Sequence, residues 1–485
     1  FVMKKILFVA SEGVPFIKTG GLADVSFALP KALREKGEDI RIILPKYGDI
    51  SLNYTSKANL IASFGVSVGW RNQYCGLEYL NYDGIPVYFI DNEYYFKRPG
   101  CYGHFDDGER FAFFCRAVLE SVKYMDSFHP DIIHCNDWQT GIIPVFLKDV
   151  YYDRPEFSHT RSVFTIHNLK YQGVFSPSVL EELLGLSPQY NAEDKLKFHD
   201  GISFMKGGIV FSDRITTVSE TYAKEIQTQY YGENLDGLLR QKSYKLRGIT
   251  NGIDYGNNHP KTDKNILLNY TFRSIQRKAA NKLDLQKAAG LPENPEVPVL
   301  SMITRLVRQK GIDLVTRVME EILKMDIQFV LLGTGDQDYQ DFFEYYASSY
   351  PGKISAFIKF DGVLASKIYA GSDLFLMPSL FEPCGLSQMI AMAYGTLPIV
   401  RETGGLRDTV IPYNEFTGEG NGFSFTNYNA HDMLHVIEYA VTQYRNKETW
   451  RNLMKNAMRT KYDWNTQSEE YLKLYREISE GSIDQ

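Results

Sequence analysis

The stretch Lys5–Val25, KILFVASEGVPFIKTGGLADV, sets the fold expected for the N-terminal half of the chain. The apolar run Ile6–Ala10 predicts a buried strand, and the paired glycines Gly20 and Gly21 stand directly before a helical pattern. A strand, a glycine turn and a helix in this order are typical of a turn that binds phosphate. The dinucleotide fingerprint G-x-G-x-x-G and the P-loop motif are both missing here, so the turn predicts another kind of ligand.

Length, charge and cysteine content restrict the class of protein. The chain of 485 residues is long for one hydrophobic core, which predicts two or three domains. Its net charge of -6 argues against a nucleic-acid partner. Five cysteines without a C-x-x-C pair favour a reducing compartment. The first apolar run is too short for a signal peptide and no run is long enough to span a bilayer, so we expect a cytoplasmic protein with no membrane partner.

Apolar runs alternate with helical patterns in both halves of the chain, which is typical of parallel α/β construction. The first series of expected strands is Lys5–Ala10, Asp39–Leu44, Val87–Ile90, Ile132–Cys135, Ser162–Ile166 and Ile215–Val218, with strand-like residues Tyr244–Thr250 after it. A polar linker dotted with prolines follows. The second series is Val297–Ile303, Phe329–Leu332, Ala356–Phe360, Leu374–Met377 and Leu397–Val400, and the tail from Asn446 has a helical pattern. Two doubly wound domains facing one cleft are therefore predicted.

Polar and glycine-rich segments follow the expected strands in both halves. In open α/β sheets ligands bind beyond the carboxyl ends of the strands, so we expect these segments to form one composite site between the domains. They are Lys18–Gly21, Asn136–Trp138, His167–Asn168, Asn251–Gly252, Arg305 with Lys310, Gly333–Asp336, Phe381–Gly385 and Thr403–Gly405. The hexapeptide TGGLAD at 19–24 recurs as TGGLRD at 403–408, which predicts two glycine turns of similar shape.

The pattern in the second half of the chain predicts a phosphate-binding site. Arg305 and Lys310 supply a bidentate fork and a compact point charge, while Glu382 stands before a helix expected to begin near Gly385 and to favour an anion. A solvated basic turn is the alternative for the two cations, and the neighbouring glycine turns favour the phosphate site.

Three further patterns leave alternatives open. VLLGTGDQD begins like a dinucleotide fingerprint, and its Asp336 and Asp338 could hold a metal, but a helix N-cap is the better interpretation. His167 ends an apolar strand and is either a buried histidine satisfied by the backbone or, with Asp137 nearby, a group at a reacting sugar. Cys135 is interpreted as a packing residue rather than a nucleophile. The aromatic loop FIDNEYYFKRPGCYG is the best candidate for an exposed sugar contact.

Nine motifs together resemble one family: KTGGLADV, HCNDWQTG, FTIHNLKYQG, TTVSETYAKEI, ITNGID, ITRLVRQKG, LGTGD, PSLFEPCGLSQ and TGGLRDTV. The chain resembles, from about Lys4 to about Trp464, the bacterial glycogen synthases and starch synthases, which are retaining glycosyltransferases of GT-B architecture. The resemblance implies transfer of glucose from ADP-glucose to the non-reducing end of an α-1,4-glucan such as glycogen. It also implies no cofactor and no required metal.

The resemblance implies three segments: an N-terminal Rossmann-like domain at 1–248 on the acceptor side, a C-terminal one at 249–463 on the nucleotide-sugar side, and a helix at 464–485 that returns to the first domain. The implied catalytic residues are His167, Arg305, Lys310, Glu382 and Asp137. The implied donor-binding residues are Lys18, Gly20, Gly21, Asp24, Gly335, Tyr369, Cys384, Gly385, Leu386, Thr403, Gly404 and Gly405, with Tyr369 expected to stack on adenine. The implied acceptor-side residues are Asn251, Trp138 and Tyr95.

Within that implied site, Arg305 and Lys310 stabilise the leaving diphosphate, and either Glu382 or Asp137 could be proposed as a nucleophile. Ile390 stands where many GT-B enzymes carry a glutamate for the ribose. A glycosidase would also suit paired carboxylates, but the basic pair is hard to explain there because its leaving group carries no phosphate. A non-catalytic binding protein and a dehydrogenase are the remaining alternatives.

Overall fold

The computed structural model describes residues 2–481. These residues form two compact units. Unit 1 contains the chain up to Val218, then Ala223–Ile249 and the segment from Trp464 onward, whereas unit 2 contains Ser219–Tyr222 and Thr250–Asp463. Residues 1 and 482–485 of the predicted segments lie outside the described residues.

Unit 1 is built on a nine-stranded sheet, with a small three-stranded sheet beside it. Its strands are β1 (Lys5–Val9), β2 (Asp39–Pro45), β3 (Asn59–Val68), β4 (Arg71–Tyr82), β5 (Ile85–Asp91), β6 (Ile132–Asn136), β7 (Arg161–Ile166), β8 (Val174–Phe175), β9 (Lys197–Phe198), β10 (Gly201–Ser203), β11 (Arg214–Thr217) and β12 (Leu246–Gly248). The large sheet has the order β12-β11-β7-β6-β1-β2-β5-β4-β3, and β8, β9 and β10 form the small sheet. All pairs of the large sheet are parallel except β3 with β4 and β4 with β5.

The strand order of unit 1 reverses at β1. The chain moves outward from β1 through β2 on one side and from β6 through β7 on the other, so β1 and β6 flank a topological switch point. Residues Ile6–Val9 of β1 have no exposed surface, as a central strand covered on both faces requires. The segments that follow β1 and β6 therefore lie where ligands bind in such sheets.

Helices cover both faces of this sheet. They are α1 (Gly21–Glu35), α2 (Leu52–Thr55), α3 (Glu93–Phe96), α4 (Asp107–Ser121), α5 (Ile143–Asp149), α6 (Val179–Glu182), α7 (Phe204–Phe211) and α9 (Asp236–Gln241), while α8 (Glu220–Glu225) begins in unit 2 and ends in unit 1. The C-terminal helix, Trp464–Glu480, packs against α1 of this unit. Its Tyr475 hydroxyl lies 2.6 Å from Nδ1 of the buried His134 on β6, which ties the helix to the sheet.

Unit 2 has a six-stranded, wholly parallel sheet. Its strands are β13 (Val299–Ile303), β14 (Gln328–Leu332), β15 (Ile354–Phe357), β16 (Leu374–Met377), β17 (Leu397–Arg401) and β18 (Phe423–Phe425), in the order β15-β14-β13-β16-β17-β18. The order reverses between β13 and β16, which makes the ends of these two strands the switch point of this unit.

The helices of unit 2 are α10 (Lys278–Ala288), α11 (Ile312–Arg317), α12 (Met319–Lys324), α13 (Gln337–Ser349), α14 (Gly362–Gly371), α15 (Ser387–Ala393), α16 (Gly404–Thr409), α17 (Ala430–Tyr444) and α18 (Lys447–Arg459), and the helix of unit 1 that ends the described chain is α19 (Trp464–Glu480). Short 3-10 turns occur at Val122–Tyr124, Trp138–Thr140, Pro155–Phe157, Pro188–Tyr190, Ser243–Lys245, Phe272–Arg277 and Arg308–Lys310. Within the described part of the chain, no helix combines the length and the apolar composition needed to cross a membrane.

Every predicted strand occurs in one of the two central sheets, but one of them has other bounds than expected, and three observed strands of these sheets, β3, β4 and β18, were not predicted. The third strand of unit 2 was expected at Ala356–Phe360, but β15 spans Ile354–Phe357 and leaves Phe360 in the loop beyond it. The antiparallel hairpin of β3 and β4 was not predicted at all. Both strands mix glycine and polar residues with apolar ones, so neither carries the continuous apolar run of a central parallel strand.

Candidate active site

A cavity of about 180 Å³ opens at the switch point of unit 2. It is lined by the ends of β13 and β16 and by the segment before α15: Met302, Ile303, Thr304, Arg305, Lys310, Leu376, Met377, Ser379, Glu382, Gly385, Leu386 and Ser387. Five residues predicted for the site, namely Arg305, Lys310, Glu382, Gly385 and Leu386, thus share one cavity.

Lys310 and Glu382 form an ion pair within this cavity. The Lys310 Nζ lies 3.0 and 2.9 Å from the two carboxylate oxygens of Glu382, and the Ser379 hydroxyl donates to one of them at 2.9 Å. The Glu382 side chain is only 8% exposed, so its charge requires this partner. The positive charge of Lys310 is accordingly balanced by an acid of the same cavity.

Arg305 differs from Lys310 in this respect. Its side chain is exposed, and among residues 2–481 its guanidinium has no hydrogen-bond or ion-pair partner. It is therefore the cation of this cavity whose charge no acid of the described chain balances, and its five donors remain available to a ligand.

The G-T-G turn at 333–335 supports the segment that carries Arg305. A Cβ on Gly335 would lie 2.3 Å from the Leu306 carbonyl oxygen, and one on Gly333 would lie 1.8 Å from that of Thr304. The Gly335 N–H donates to Gln340 Oε1 at 3.0 Å. These glycines are needed because two backbones meet here, and the N–H of Gly335 is engaged within the chain.

The two T-G-G-L turns have different conformations, so the expectation of a similar shape is wrong. Gly404 has φ of +46, and a Cβ there would lie 1.8 Å from the Glu382 carbonyl oxygen. A Cβ on Gly405 would likewise lie 2.1 Å from the Cys384 carbonyl oxygen, and Thr403 is fully buried. Gly20 has an extended φ of -156 and open space around it. The second turn therefore supports the E-P-C-G segment, whereas the first stands open.

The E-P-C-G segment ends in a short helix that begins later than expected. Gly385 has φ of +78, Leu386 caps the helix, and α15 spans only Ser387–Ala393. Cys384 is buried, and burial raises the pKa of its thiol to about 12, as suits a packing residue. The Asn251 side chain is also buried, and no partner for its Oδ1 exists among the described residues.

Tyr369, expected to stack on adenine, lies within the core of unit 2. Its side chain is 8% exposed, and its ring stacks on Phe375 at 5.3 Å and lies 6.0 Å from the ring of Tyr394. Phe360, which the sequence analysis did not single out, is 84% exposed just beyond the carboxyl end of β15. Of these two aromatic residues only Phe360 presents a free ring face. The position of Phe360, between the end of a strand and the N-cap of α14, was the sequence feature that could have identified it.

In unit 1 the ends of β6 and β7 bring His167, Asp137 and Asn136 together. The Asn136 amide donates to the Val9 carbonyl at 2.9 Å, so its Oδ1 is the acceptor that faces His167 Nε2 at 2.8 Å. His167 therefore carries its proton on Nε2, and Nδ1 keeps a lone pair. Burial lowers the pKa of this imidazole to about 3, so it is neutral at physiological pH.

Asp137 holds the backbone of the same corner. Its carboxylate accepts the His167 N–H at 2.7 Å and that of Asn168, and its own backbone has φ of +59. Non-glycine residues seldom adopt a positive φ, and those that do are concentrated at functional sites. Burial raises the pKa of Asp137, the two backbone hydrogen bonds lower it and the carboxylate of Glu12 raises it, which together give a pKa of about 7.

The K-T-G-G turn lies after β1, the other strand of this switch point. Lys18 Nζ pairs with the Asp24 carboxylate at 2.7 Å, and both side chains are substantially exposed. Beneath the turn lies Glu12, which is 4% exposed and accepts the N–H groups of Thr19 and Gly20 at 2.7 and 3.0 Å. Glu12 was not predicted for the site, although its sequence position just after a central strand could have indicated it.

The two acceptor-side aromatic residues of unit 1 are both buried. Trp138 is 8% exposed, and a Cβ on Gly173, which has φ of +61, would lie 2.3 Å from its ring. Tyr95 has no exposed surface, and its hydroxyl donates to Glu109 at 2.7 Å. The expectation of an exposed ring is therefore wrong for Tyr95, because α3 turns it into the core, while its neighbour Tyr94 is 62% exposed.

No group of three or more His, Cys, Asp or Glu side chains placed to hold a metal ion occurs between residues 2 and 481. The carboxylates of Asp336 and Asp338 thus have no third protein ligand of this kind in the described chain.

Known proteins match both units. The family profile "Starch synthase catalytic domain" matches residues 5–241, and "Glycosyl transferases group 1" matches residues 285–460. The glycogen synthase of Clostridium acetobutylicum is 59% identical over 98% of this chain and 100% of its own length. That of Caldicellulosiruptor saccharolyticus is 55% identical over 98% of this chain and 99% of its own length.

Solved structures give the same result. The catalytic domain of starch synthase IV from Arabidopsis thaliana, bound to ADP and acarbose, superposes with a TM-score of 0.92 at 35% identity and covers 99% of this chain and 100% of that one. Sucrose-phosphate synthase from Thermosynechococcus elongatus shares the fold, with a TM-score of 0.63 at 16% identity over 98% of this chain and 99% of that one. The chain belongs to the bacterial glycogen synthase and starch synthase family, and it is a two-domain α/β glycosyltransferase of GT-B type.

Proposed function

We propose that the chain transfers glucose from ADP-glucose to the non-reducing end of an α-1,4-glucan, with retention of the anomeric configuration. The observation that carries this proposal is the cavity at the switch point of unit 2, where Arg305 stands unpaired beside the balanced pair of Lys310 and Glu382. An unbalanced cation suits a leaving group that gains negative charge, as a nucleoside diphosphate does. The ADP held by the related starch synthase IV supports an ADP-sugar as donor.

In this reaction the bond between C1 of glucose and the diphosphate oxygen breaks, and the acceptor hydroxyl forms the new bond on the same face. The hydroxyl proton passes to the departing diphosphate. Arg305 stabilises the charge that develops there, and Lys310 is held ready by Glu382. The proposal needs no metal ion for this purpose, because the unbalanced guanidinium of Arg305 supplies the positive charge.

Both candidate nucleophiles are engaged in hydrogen bonds or an ion pair. The two oxygens of Glu382 face Lys310, and one also accepts from Ser379. The Asp137 carboxylate accepts two backbone N–H groups. These contacts favour direct front-face substitution over a covalent glycosyl intermediate, with Glu382 contacting the donor sugar and Asp137 fixing the corner that carries His167.

His167 and Lys18 complete the proposed sugar contacts. The lone pair on His167 Nδ1 is suited to accept a hydrogen bond from a hydroxyl of the transferred glucose. Lys18 is suited to contact the nucleotide sugar, because its exposed pair with Asp24 is of a kind that contributes little and exchanges readily for a ligand.

The adenine is assigned to Phe360 in this proposal. A stacked base needs an uncovered ring face, which Phe360 offers and Tyr369 does not. We also infer a cytoplasmic location, since all five cysteines are free and buried, as expected for a chain that folds under reducing conditions.

Nucleotide release tests the proposal. The purified protein is incubated with ADP-glucose or UDP-glucose, with and without glycogen, and ADP or UDP is quantified together with the incorporated glucose. Release that depends on glycogen, with a new α-1,4 linkage and full activity in EDTA, is expected. Release without incorporation would indicate a hydrolase, and no release with either donor would indicate a binding protein.

A further inference from the structure

The K-T-G-G turn rests on one buried carboxylate. Glu12 receives four donors: the N–H groups of Thr19 and Gly20 at 2.7 and 3.0 Å, the Thr19 hydroxyl at 2.7 Å and the Tyr102 hydroxyl at 2.7 Å. A carboxylate has about four lone-pair positions, so these contacts use its full capacity. The N–H groups of Thr19 and Gly20 are consequently unavailable to a diphosphate, although the sequence analysis assigned the glycine turn to the donor.

The support beneath Glu12 continues into the loop before α4. Because the Tyr102 hydroxyl donates its single proton to Glu12, the Ser11 hydroxyl must donate to Tyr102 across their 2.6 Å contact. Arg110, which has no exposed surface, donates to the carbonyl of Cys101, the residue before Tyr102. Tyr102 is thus itself fixed, and Glu12 is held from both sides.

On the side of the turn, the hydrogen bonds to Glu12 hold the two residues that directly follow Lys18. Thr19 and Gly20 directly follow this lysine, while a Cβ on Gly20 or Gly21 would meet nothing within 4 Å. A turn with open surroundings has no packing that could fix it from outside, so its conformation depends on the hydrogen bonds from below. Asp24 restrains the ammonium group only through an exposed ion pair.

We propose that Glu12 is a positioning residue for the donor, which sets the K-T-G-G turn and thereby the place of Lys18. The inference rests on the donor contact assigned to Lys18 in the proposed function. Glu12 acts through hydrogen bonds rather than through its charge. A pre-set turn avoids the ordering cost that a mobile turn would pay each time the nucleotide sugar binds.

The two substitutions Glu12→Gln and Glu12→Ala separate hydrogen bonding from charge. The glutamine carbonyl can face the N–H groups of Thr19 and Gly20, while its NH₂ group donates to the hydroxyls of Thr19 and Tyr102, which can accept. Tyr102 then passes its proton to Ser11. Glutamine thus preserves every contact without the charge, whereas alanine removes them all.

The test measures KM and kcat for ADP-glucose at saturating glycogen, KM for glycogen, and the melting temperature. We expect Glu12→Ala to raise the KM for ADP-glucose about tenfold, from the loss of all the hydrogen bonds to this side chain, and Glu12→Gln to raise it less than about threefold. The KM for glycogen stays unchanged in both variants. If Glu12→Ala does not fold, Tyr102→Phe and Thr19→Ala each remove one contact and are expected to raise the donor KM about twofold to fivefold.

Lys18→Ala distinguishes the inference from the proposed function. A normal donor KM in Lys18→Ala would refute the donor contact itself. A raised KM in Lys18→Ala together with a normal one in folded Glu12→Ala would refute only the positioning role. Equal losses in Glu12→Gln and Glu12→Ala would also overturn it, since charge would then be decisive. In the double variant Glu12→Ala/Lys18→Ala we expect no loss beyond that of Lys18→Ala, because the turn then has no lysine to place.

Discussion

Replacing Arg305 by alanine should remove most of the transferase activity without unfolding the protein. The guanidinium has no partner among residues 2–481 and is exposed, so its removal leaves no buried group unsatisfied. An exposed change of this kind alters stability by about 0.5 kcal/mol or less. Lys310 cannot substitute for it, because Glu382 already balances the lysine charge at 2.9 Å.

The expected size of the loss follows from the charge that develops on the leaving diphosphate. A unit charge about 4 Å away, at the effective dielectric constant of a protein surface, contributes roughly 4 kcal/mol. Water that enters in place of the guanidinium restores up to about half of this, which leaves roughly 2–4 kcal/mol. The ratio kcat/KM should therefore fall about 30-fold to 1000-fold. Arg305→Lys keeps the charge but loses the fork, so its loss should be about tenfold.

The assay is ADP release from ADP-glucose in the presence of glycogen, with the melting temperature followed in parallel. Arg308→Ala is the matched control, because the Arg308 side chain is 75% exposed on the adjoining turn and its Nε lies 3.9 Å from the Asp313 carboxylate. We expect Arg308→Ala to retain normal kcat/KM. The reasoning is refuted if Arg305→Ala keeps more than about one third of the wild-type value, or if the control loses as much.

Three further predictions concern the neighbouring groups. Phe360→Ala should raise the Kd for ADP about 5-fold to 50-fold through lost stacking, measured by calorimetry, whereas equal binding would exclude the base contact. Lys310→Met should abolish activity and lower the melting temperature by about 2–4 °C, because Glu382 loses its partner; the double variant Lys310→Met/Glu382→Gln should regain the melting temperature but not the activity. Asp137 holds its proton more tightly when folded, with a pKa of about 7 against 3.8, so it costs stability as the pH rises through this range. Asp137→Asn should therefore melt higher than wild type at pH 8 but not at pH 4, and an equal difference at both pH values would contradict that sign.

The parallel sheets were predictable because central strands can be recognised by their apolar composition. The strands β1 and β13 are short apolar runs, and polar residues follow each of them at the switch points. From this pattern alone Arg305, Lys310 and Glu382 could be assigned to one site. The hairpin of β3 and β4 could not be recognised, since strands at a sheet edge are partly solvated and lack such a run.

The predictions that failed depend on tertiary packing. Nothing in the sequence distinguishes the buried Tyr95 from the exposed Tyr94, because these neighbours point in different directions, about 100° apart, only after α3 has formed. The two T-G-G-L turns have the same residues, but the turn at Gly404 lies against the backbone of Glu382, whereas the turn at Gly20 faces open space. Glu12 acquires its role only when the chain folds back so that Gly13 pairs with Ile17.

The contact of Tyr475 with His134 has a consequence for how the chain is made. Unit 2 is nearly continuous along the chain and is fully translated at Asp463, whereas unit 1 needs the helix α19 that follows it. At bacterial elongation rates of about 5–20 residues per second, the nascent first unit waits roughly 10–40 s after its strand β12 for this last piece. During that time the groove for α19, including His134, is uncovered on the ribosome. Unit 2 is therefore complete before unit 1, although its translation starts later, and α19 completes unit 1.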